Sequence, residues 1–315
     1  MTITHPPAAG EIPEPDSGLI IDVGMHEGQD TSFYLDKGFR VVAVEAEPGL
    51  VEAARRKFAP ELAAGRLEIV HCAISDRTGP IPFWVFPEKS EWNTLDPQHA
   101  TRNIALGCAH RVVQVQGRGF DGILSRYGVP HYLKIDIEGA DLLCVQALSG
   151  ARSRPDFVSL ELAMASAETA FCILAELYRL GYRRFKAVDQ ALNPSRKIMA
   201  AGGGRFVMGS SGGFGEETPG AWEDAFEIAR HVGRLLRRER VLGPGGRLAR
   251  VAWMVNGAAR LPAQIRTLRQ WRAALTTGSW FDLHAALPQG TASGSAAAGA
   301  GSGRPGATRN WRRAQ

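Results

Sequence analysis

The 315-residue chain is poor in cysteine, with four residues only, at Cys72, Cys108, Cys144 and Cys172, and no Cys-x-x-Cys pair among them. That argues against a structural zinc site and against a disulfide framework, and leaves free thiols in a reducing compartment as the expectation. No run of about 18 apolar residues occurs, which argues against a membrane-spanning helix. The opening Met1-Thr-Ile-Thr-His-Pro-Pro has neither a basic stretch nor an apolar one, so no signal peptide is visible and a cytoplasmic protein is expected. The 22% of charged and 44% of hydrophobic residues suit an ordinary soluble domain, long enough to bury a core without staples.

The net charge of +5 conceals an asymmetry. Of the 37 Lys and Arg, 15 lie from Arg230 onward, against two acids there, Glu239 and Asp282. The front portion therefore keeps 22 basic against 30 acidic residues and does not resemble a nucleic-acid binder. The basic character belongs to the back of the chain.

Hydrophobic patterning gives the organisation. Residues 1–17 are polar and Pro-rich and read as a flexible arm. Leu19-Ile-Ile-Asp-Val-Gly is a short buried strand that ends in a glycine turn. A helix from Asp30 to Asp36, a strand Arg40-Val-Val-Ala-Val-Glu, a helix from Gly49 to Phe58 and a strand Arg66 to Ile74 follow. This alternation predicts an α/β, Rossmann-like fold, a mostly parallel sheet with right-handed crossovers and helices on both faces. Further strands are expected at 132–137 and 157–162, with helices at 141–148 and 170–180. Arg184-Phe-Lys-Ala-Val and Arg205-Phe-Val-Met are expected to form a terminal antiparallel pair.

The Rossmann-like domain is thus predicted over 18–209. A Gly-rich loop and a basic helical extension follow over 210–284, with helices at 222–240 and 248–275. A disordered Gly/Ala/Ser-rich tail completes the chain over 285–315. The loop at 209–220 reads equally as a lid over a substrate, with Phe214, Glu216 and Glu217 facing it, or as a linker. The basic helices read first as a solvated face packed on the acidic front portion. Peripheral contact with an anionic membrane or an acidic glycan is the alternative.

The first strand ends in Asp22-x-Gly24-x-x-x-Gly28. Glycines there let backbone approach a ligand at the carboxyl end of a sheet. The spacing is not the three-glycine dinucleotide pattern, and an acid two residues before Gly24 suits a cationic cofactor and repels a pyrophosphate. Glu45 ends the second strand, 23 residues after Asp22, where an acid can accept hydrogen bonds from ribose hydroxyls. Ser75 and Asp76 close the third strand, where Asp76 can bond an adenine amino group or cap a turn. His26 reads as a solvated or capping residue. NAD shares the ribose, so an NAD(P)-dependent oxidoreductase and a non-catalytic nucleotide-binding module are the competing readings.

Lys134-Ile-Asp-Ile-Glu-Gly-Ala-Asp141 is the other informative segment. Charged residues that bracket the end of a central strand are costly unless paired or used. Asp136, Glu138 and Asp141 belong at the same sheet edge as Asp22, and Glu161 should lie nearby.

Together these segments resemble the FkbM family of methyltransferases. The family shows Asp-Val-Gly-x-x-x-Gly followed by threonine, then Val-Glu-x-x-Pro, then Lys-Ile-Asp-x-Glu-Gly. Here these are Asp22 to Gly28 with Thr31, Val44 to Pro48, and Lys134 to Gly139. The resemblance spans about 19–186 and departs at Met25-His26, where Ala-Asn is common. It implies the Rossmann-like sheet of class I methyltransferases and S-adenosylmethionine as cofactor, held by Asp22, Gly24, Gly28, Thr31, Glu45, Ala46, Ser75 and Asp76. It also implies O-methylation of a hydroxyl on a sugar, glycan or natural product. Asp136 is then the first candidate for the base or acceptor-orienting group, followed by Glu138 and Glu161, with Lys134 pairing to them. A divalent metal on Asp136 and a neighbouring carboxylate is compatible with the sequence and not required by it.

Overall fold

The computed structural model describes residues 16–151, 153–162, 166–190, 210–242 and 280–288. β1 (Asp16–Val23) is an interior strand of the main sheet. Leu19, Ile20, Ile21 and Val23 in it are fully buried, as both faces of a parallel strand must be. The chain then runs through α1 (Gln29–Asp36), β2 (Arg40–Glu45), α2 (Pro48–Lys57), α3 (Ala59–Ala63) and β3 (Leu67–His71). α2 starts at a sequence signal: Pro48 occupies its first turn, and Glu47 caps it by accepting from the Leu50 N–H at 2.6 Å.

After β3 the chain leaves the main sheet. β4 (Ala73–Ile74), β5 (Gly79–Val85) and β6 (Arg111–Arg118) make a small sheet in the order β4-β6-β5, with α4 (Pro97–Ala105) between β5 and β6. α5 (Phe120–Tyr127), β7 (Pro130–Ile135), α6 (Asp141–Ala147), β8 (Phe157–Glu161), α7 (Ala167–Arg179), β9 (Arg184–Asp189), α8 (Ala225–Leu242) and β10 (Phe281–Ala286) complete it. The main sheet has the order β3-β2-β1-β7-β8-β10-β9. Only β10 runs against its neighbours. This is a Rossmann-like, mostly parallel sheet with helices on both faces. Buried side chains of α5, α6, α7 and α8 cover one face, and those of α1 and α2 cover the other.

Two expectations about the back of the chain are corrected, and a third falls outside the described residues. β9 takes β10 as its antiparallel partner, and residues 205–208, expected in that role, lie outside the described residues. The main sheet therefore does not end at 209, nor does the tail begin at 285: residues 281–286 form an interior strand, buried at all six positions. The predicted helix at 222–240 begins at Ala225, because the Asp224 carboxylate accepts from the N–H groups of Phe226 and Glu227 and so caps it there. It buries Ile228, Val232 and Leu235, while Phe226 is 69% exposed.

The Gly-rich segment is a packed part of the fold. Phe214 stacks on Tyr132, with ring centroids 4.2 Å apart and planes at 17°, and sits among Tyr34, Phe39, His131 and Phe157. Glu217 pairs with Lys37, and Glu216 with Arg184 and the Trp222 indole. Neither Phe214 nor these carboxylates face an acceptor, as a lid would require. The basic stretch at 248–275 and residues 1–15 lie outside the described residues. Among the described residues no helix is long and apolar enough to cross a membrane, and all four cysteines are free thiols.

Candidate active site

The strand order reverses between β1 and β7, and a doubly wound sheet offers its binding crevice at such a point. Register sets Asp22 beside Lys134 and Val23 beside Ile135, and the Asp136 N–H donates to the Val23 carbonyl at 2.8 Å. The two strands thus deliver the Gly24 loop and the Asp136 to Gly139 loop to the same edge. Gly24 has φ +87°, and a Cβ there would lie 1.8 Å from the Asp136 carbonyl oxygen. No other residue fits.

A cleft opens above this contact. Its walls include Gly24, His26, Asp30, Glu45, Ala46, Lys134, Asp136 and Glu138, with Cys72, Ala73, Ile74, Phe83, Ser90 and Leu95 from the small sheet and its loops. Glu45 is held by backbone: its carboxylate accepts from the N–H groups of His26, Ala46 and Glu47 at 2.8, 2.9 and 2.8 Å. Burial nonetheless outweighs those bonds and pushes its carboxyl up to about 7. The same contact accounts for the departure at position 26. His26 has φ +53°, in a region where Asn and His are enriched, so the histidine keeps the backbone shape that an asparagine would take. Its ring Nε2 lies 2.7 Å from Ser90 Oγ and ties the cofactor loop to the facing wall.

Lys134 is buried among carboxylates. Its Nζ is 3.4 Å from Asp136, 3.5 Å from Asp22 and 3.6 Å from Asp30. Those charges hold its ammonium well above the ordinary lysine value although burial acts the other way. Asp22 is fully buried and accepts from Thr31 Oγ1 at 2.7 Å. Burial raises it to about 6 against the pull of Lys134. Asp30, which the sequence reading passed over, accepts from the Ser211 and Gly212 N–H groups at 3.1 and 2.9 Å, and so docks the Gly-rich segment onto the cleft.

The predicted residues therefore separate. Gly24, Glu45, Ala46, Lys134, Asp136 and Glu138 share the cleft. Asp22 and Thr31 lie beneath it, bonded to each other, with Asp22 also beside Lys134. Gly28 opens α1 against the Phe58 ring. Ser75 accepts from the Arg77 N–H at 3.0 Å and Asp76 is exposed, so this pair closes a turn beside the cleft. Glu161 stands across from Asp282 of β10, off the cleft wall. Burial, with Asp136, Glu138 and Asp282 adding repulsion, pushes it up to about 9. Among the described residues no group of three or more His, Cys, Asp or Glu is placed to hold a metal ion.

The small sheet was the main omission. The alternation of Ile81, Phe83 and Val85 and the Asp96-Pro97 helix start were its legible signals.

The model of the FkbM methyltransferase domain matches residues 22–184, more than half of the sequence. The chain belongs to the FkbM methyltransferase family. Its match begins at the cofactor loop and ends at the start of β9, so it contains every cleft residue named above. No curated protein matches the FkbM chain significantly. Among solved structures, the FkbM methyltransferase of Methylobacillus flagellatus KT is 18% identical, over 49% of this chain and 35% of that one, with a TM-score of 0.31. The S-adenosylmethionine-dependent methyltransferases of Thiobacillus denitrificans and Geobacter sulfurreducens, each in complex with S-adenosyl-L-homocysteine, are 10% and 12% identical. They cover 87% and 88% of this chain and 86% of their own, with TM-scores of 0.31 and 0.32.

The cleft of this FkbM domain fits S-adenosylmethionine. Gly24 leaves the space that a side chain would fill. Glu45 presents a backbone-held carboxylate for ribose hydroxyls, Ile74, Phe83 and Leu95 give an apolar wall for a purine, and Asp30 and Asp136 offer negative charge to an ammonium and a sulfonium.

Proposed function

We propose that this protein transfers a methyl group to a hydroxyl oxygen of a sugar, glycan or natural product. The observation that carries the reading is the meeting of the Gly24 loop and the Asp136 to Gly139 loop, which puts two carboxylates, Asp136 and Glu138, beside the cofactor cradle. S-adenosylmethionine, when bound, supplies a methyl group already activated on positively charged sulfur. The protein's work is then to align the acceptor and accept its proton. Lys134 fixes Asp136 from behind, so Asp136 orients the acceptor hydroxyl. Glu138, whose carboxyl burial pushes up to about 7, suits a base that works near neutrality.

Calorimetry with S-adenosylhomocysteine and with NAD tests the cofactor, and only the first should bind. Turnover is read as S-adenosylhomocysteine released from methyl-labelled donor in the presence of a panel of glycosides and phenolic or polyketide alcohols. Transfer confined to amine or carbon acceptors would refute the hydroxyl assignment.

A further inference from the structure

We propose that His99 is the positioning residue of Glu138, its ring Nδ1–H directed at one carboxylate oxygen so that the other faces the acceptor as an ionised base. The proposal rests on the methyl-transfer reading above and adds a residue to it.

Glu138 has φ +44°, a left-handed backbone that a long side chain adopts only where its surroundings hold it. The hold comes from the start of α4. Buried Thr94 donates from Oγ1 to the Glu138 carbonyl at 2.9 Å and accepts from the Asp96 N–H at 3.0 Å. Asp96 in turn caps α4 through the Gln98 N–H at 2.7 Å. The first turn of α4 is thereby fastened to the backbone of Glu138. A Cβ on Gly139 would lie 3.3 Å from His99 Cε1 and 3.2 Å from Asp96 Oδ2, so the glycine keeps that approach open.

The fastening brings His99 Nδ1 to 3.7 Å from Glu138 Oε2. Nδ1 is buried and has no hydrogen-bond partner among the described residues, and it stands in ion-pair range of this carboxylate. Contacts of this kind commonly tighten when the ligand binds. Around Glu138 stand Asp136 from its own loop, Asp141 from the start of α6, Glu91 from the turn after β5, Asp96, His99 and Arg102 from α4 and its cap, and Glu161 from β8. Most of these repel an ionised Glu138, and a donor from His99 offsets them. In the transfer itself the acceptor O–H bond breaks and its proton goes to Glu138. The freed electron pair forms the bond from oxygen to methyl while the bond from methyl to sulfur breaks onto sulfur.

The pairing is tested by carbon NMR of glutamate Cδ across pH, in the protein with and without S-adenosylhomocysteine. Glu138 should titrate near neutrality. In His99→Ala its midpoint should rise by about half a unit or more, and His99→Asn, whose amide N–H lies close to the place of Nδ1–H, should restore part of the difference. A midpoint unchanged in His99→Ala, or an Asn variant no better than Ala, overturns the proposal. Should His99→Ala not fold, nitrogen NMR of the parent ring at alkaline pH decides: a proton on Nδ1 supports the pairing and a proton on Nε2 refutes it. With an acceptor from the panel above, the acid limb of kcat/KM should move up in His99→Ala while S-adenosylhomocysteine affinity stays unchanged. Calorimetry tests the cofactor reading separately, so the two can fail independently.

Discussion

The carbonyl oxygen of Asp136 occupies the space that a side chain on Gly24 would need, 1.8 Å from the ideal Cβ position. The Gly24 loop and the loop that carries Asp136 and Glu138 are therefore in backbone contact, and neither can shift without the other.

Gly24→Ala should show this. The clash is with backbone, and φ +87° is itself unfavourable for alanine. The variant should lose at least about 2 kcal/mol of stability. It should also bind S-adenosylhomocysteine more than about tenfold more weakly. Urea unfolding and calorimetry check the two effects.

Lys134→Met should destabilise by about 3–5 kcal/mol at neutral pH, because it strands Asp22 and Asp30 without their cation. Asp22 already sits at about 6 with the lysine present. Removing the ammonium raises it further, so the deficit should shrink as pH falls and the carboxyl takes up its proton. The double variant with Asp22→Asn should recover part of the loss, a coupling that denaturation at two pH values would read.

Glu45 should make cofactor affinity depend on pH. Its carboxyl is pushed up to about 7 by burial, whereas ribose hydroxyls donate best to the ionised form. Binding must therefore expel a proton in acid. Affinity for S-adenosylhomocysteine should rise from about pH 5.5 to about pH 7.5, by up to about tenfold per unit, and then level off. Glu45→Gln should bind more weakly with a flat profile, and calorimetry in buffers of different ionisation heat should detect the released proton only in the parent.

Asp30→Ala should loosen the Gly-rich segment. It removes the acceptor of two buried N–H groups, at about 1–3 kcal/mol for each group left unsatisfied. Proteolysis and hydrogen exchange within 210–218 should accelerate. Phe214→Ala should cost about 3–5 kcal/mol of global stability, the outcome for a core aromatic and not for a lid.

The front half of the fold was legible because its strands are continuous apolar runs punctuated by glycine, and because Asp22, Glu45 and the Lys134 octet carry charge where a sheet end predicts function. What escaped the sequence did so for physical reasons. Asp30 reads as an ordinary first-turn acid until the Gly-rich segment, some 180 residues later, brings its N–H groups to it. His99 sits in a polar helix whose apolar face is weak. β10 holds Asp282 and His284, so its pattern is not that of an interior strand. Those polar groups are tolerated because Gln190 donates to Asp282 at 2.7 Å and because burial, abetted by Lys186, keeps the imidazole of His284 neutral, with its value lowered to about 3.

The insertion of β10 between β8 and β9 also sets an order of events in time. β8 and β9 are complete by residue 189, yet the strand that joins them is not made until residue 286. On the ribosome the nascent sheet must wait with two open edges, and β8 adjoins β7, which carries Lys134 and leads to the Asp136 loop. Completion of the sheet is thus tied to the last stage of its synthesis, and a chain released before residue 281 would carry every FkbM motif with β8 and β9 left unjoined.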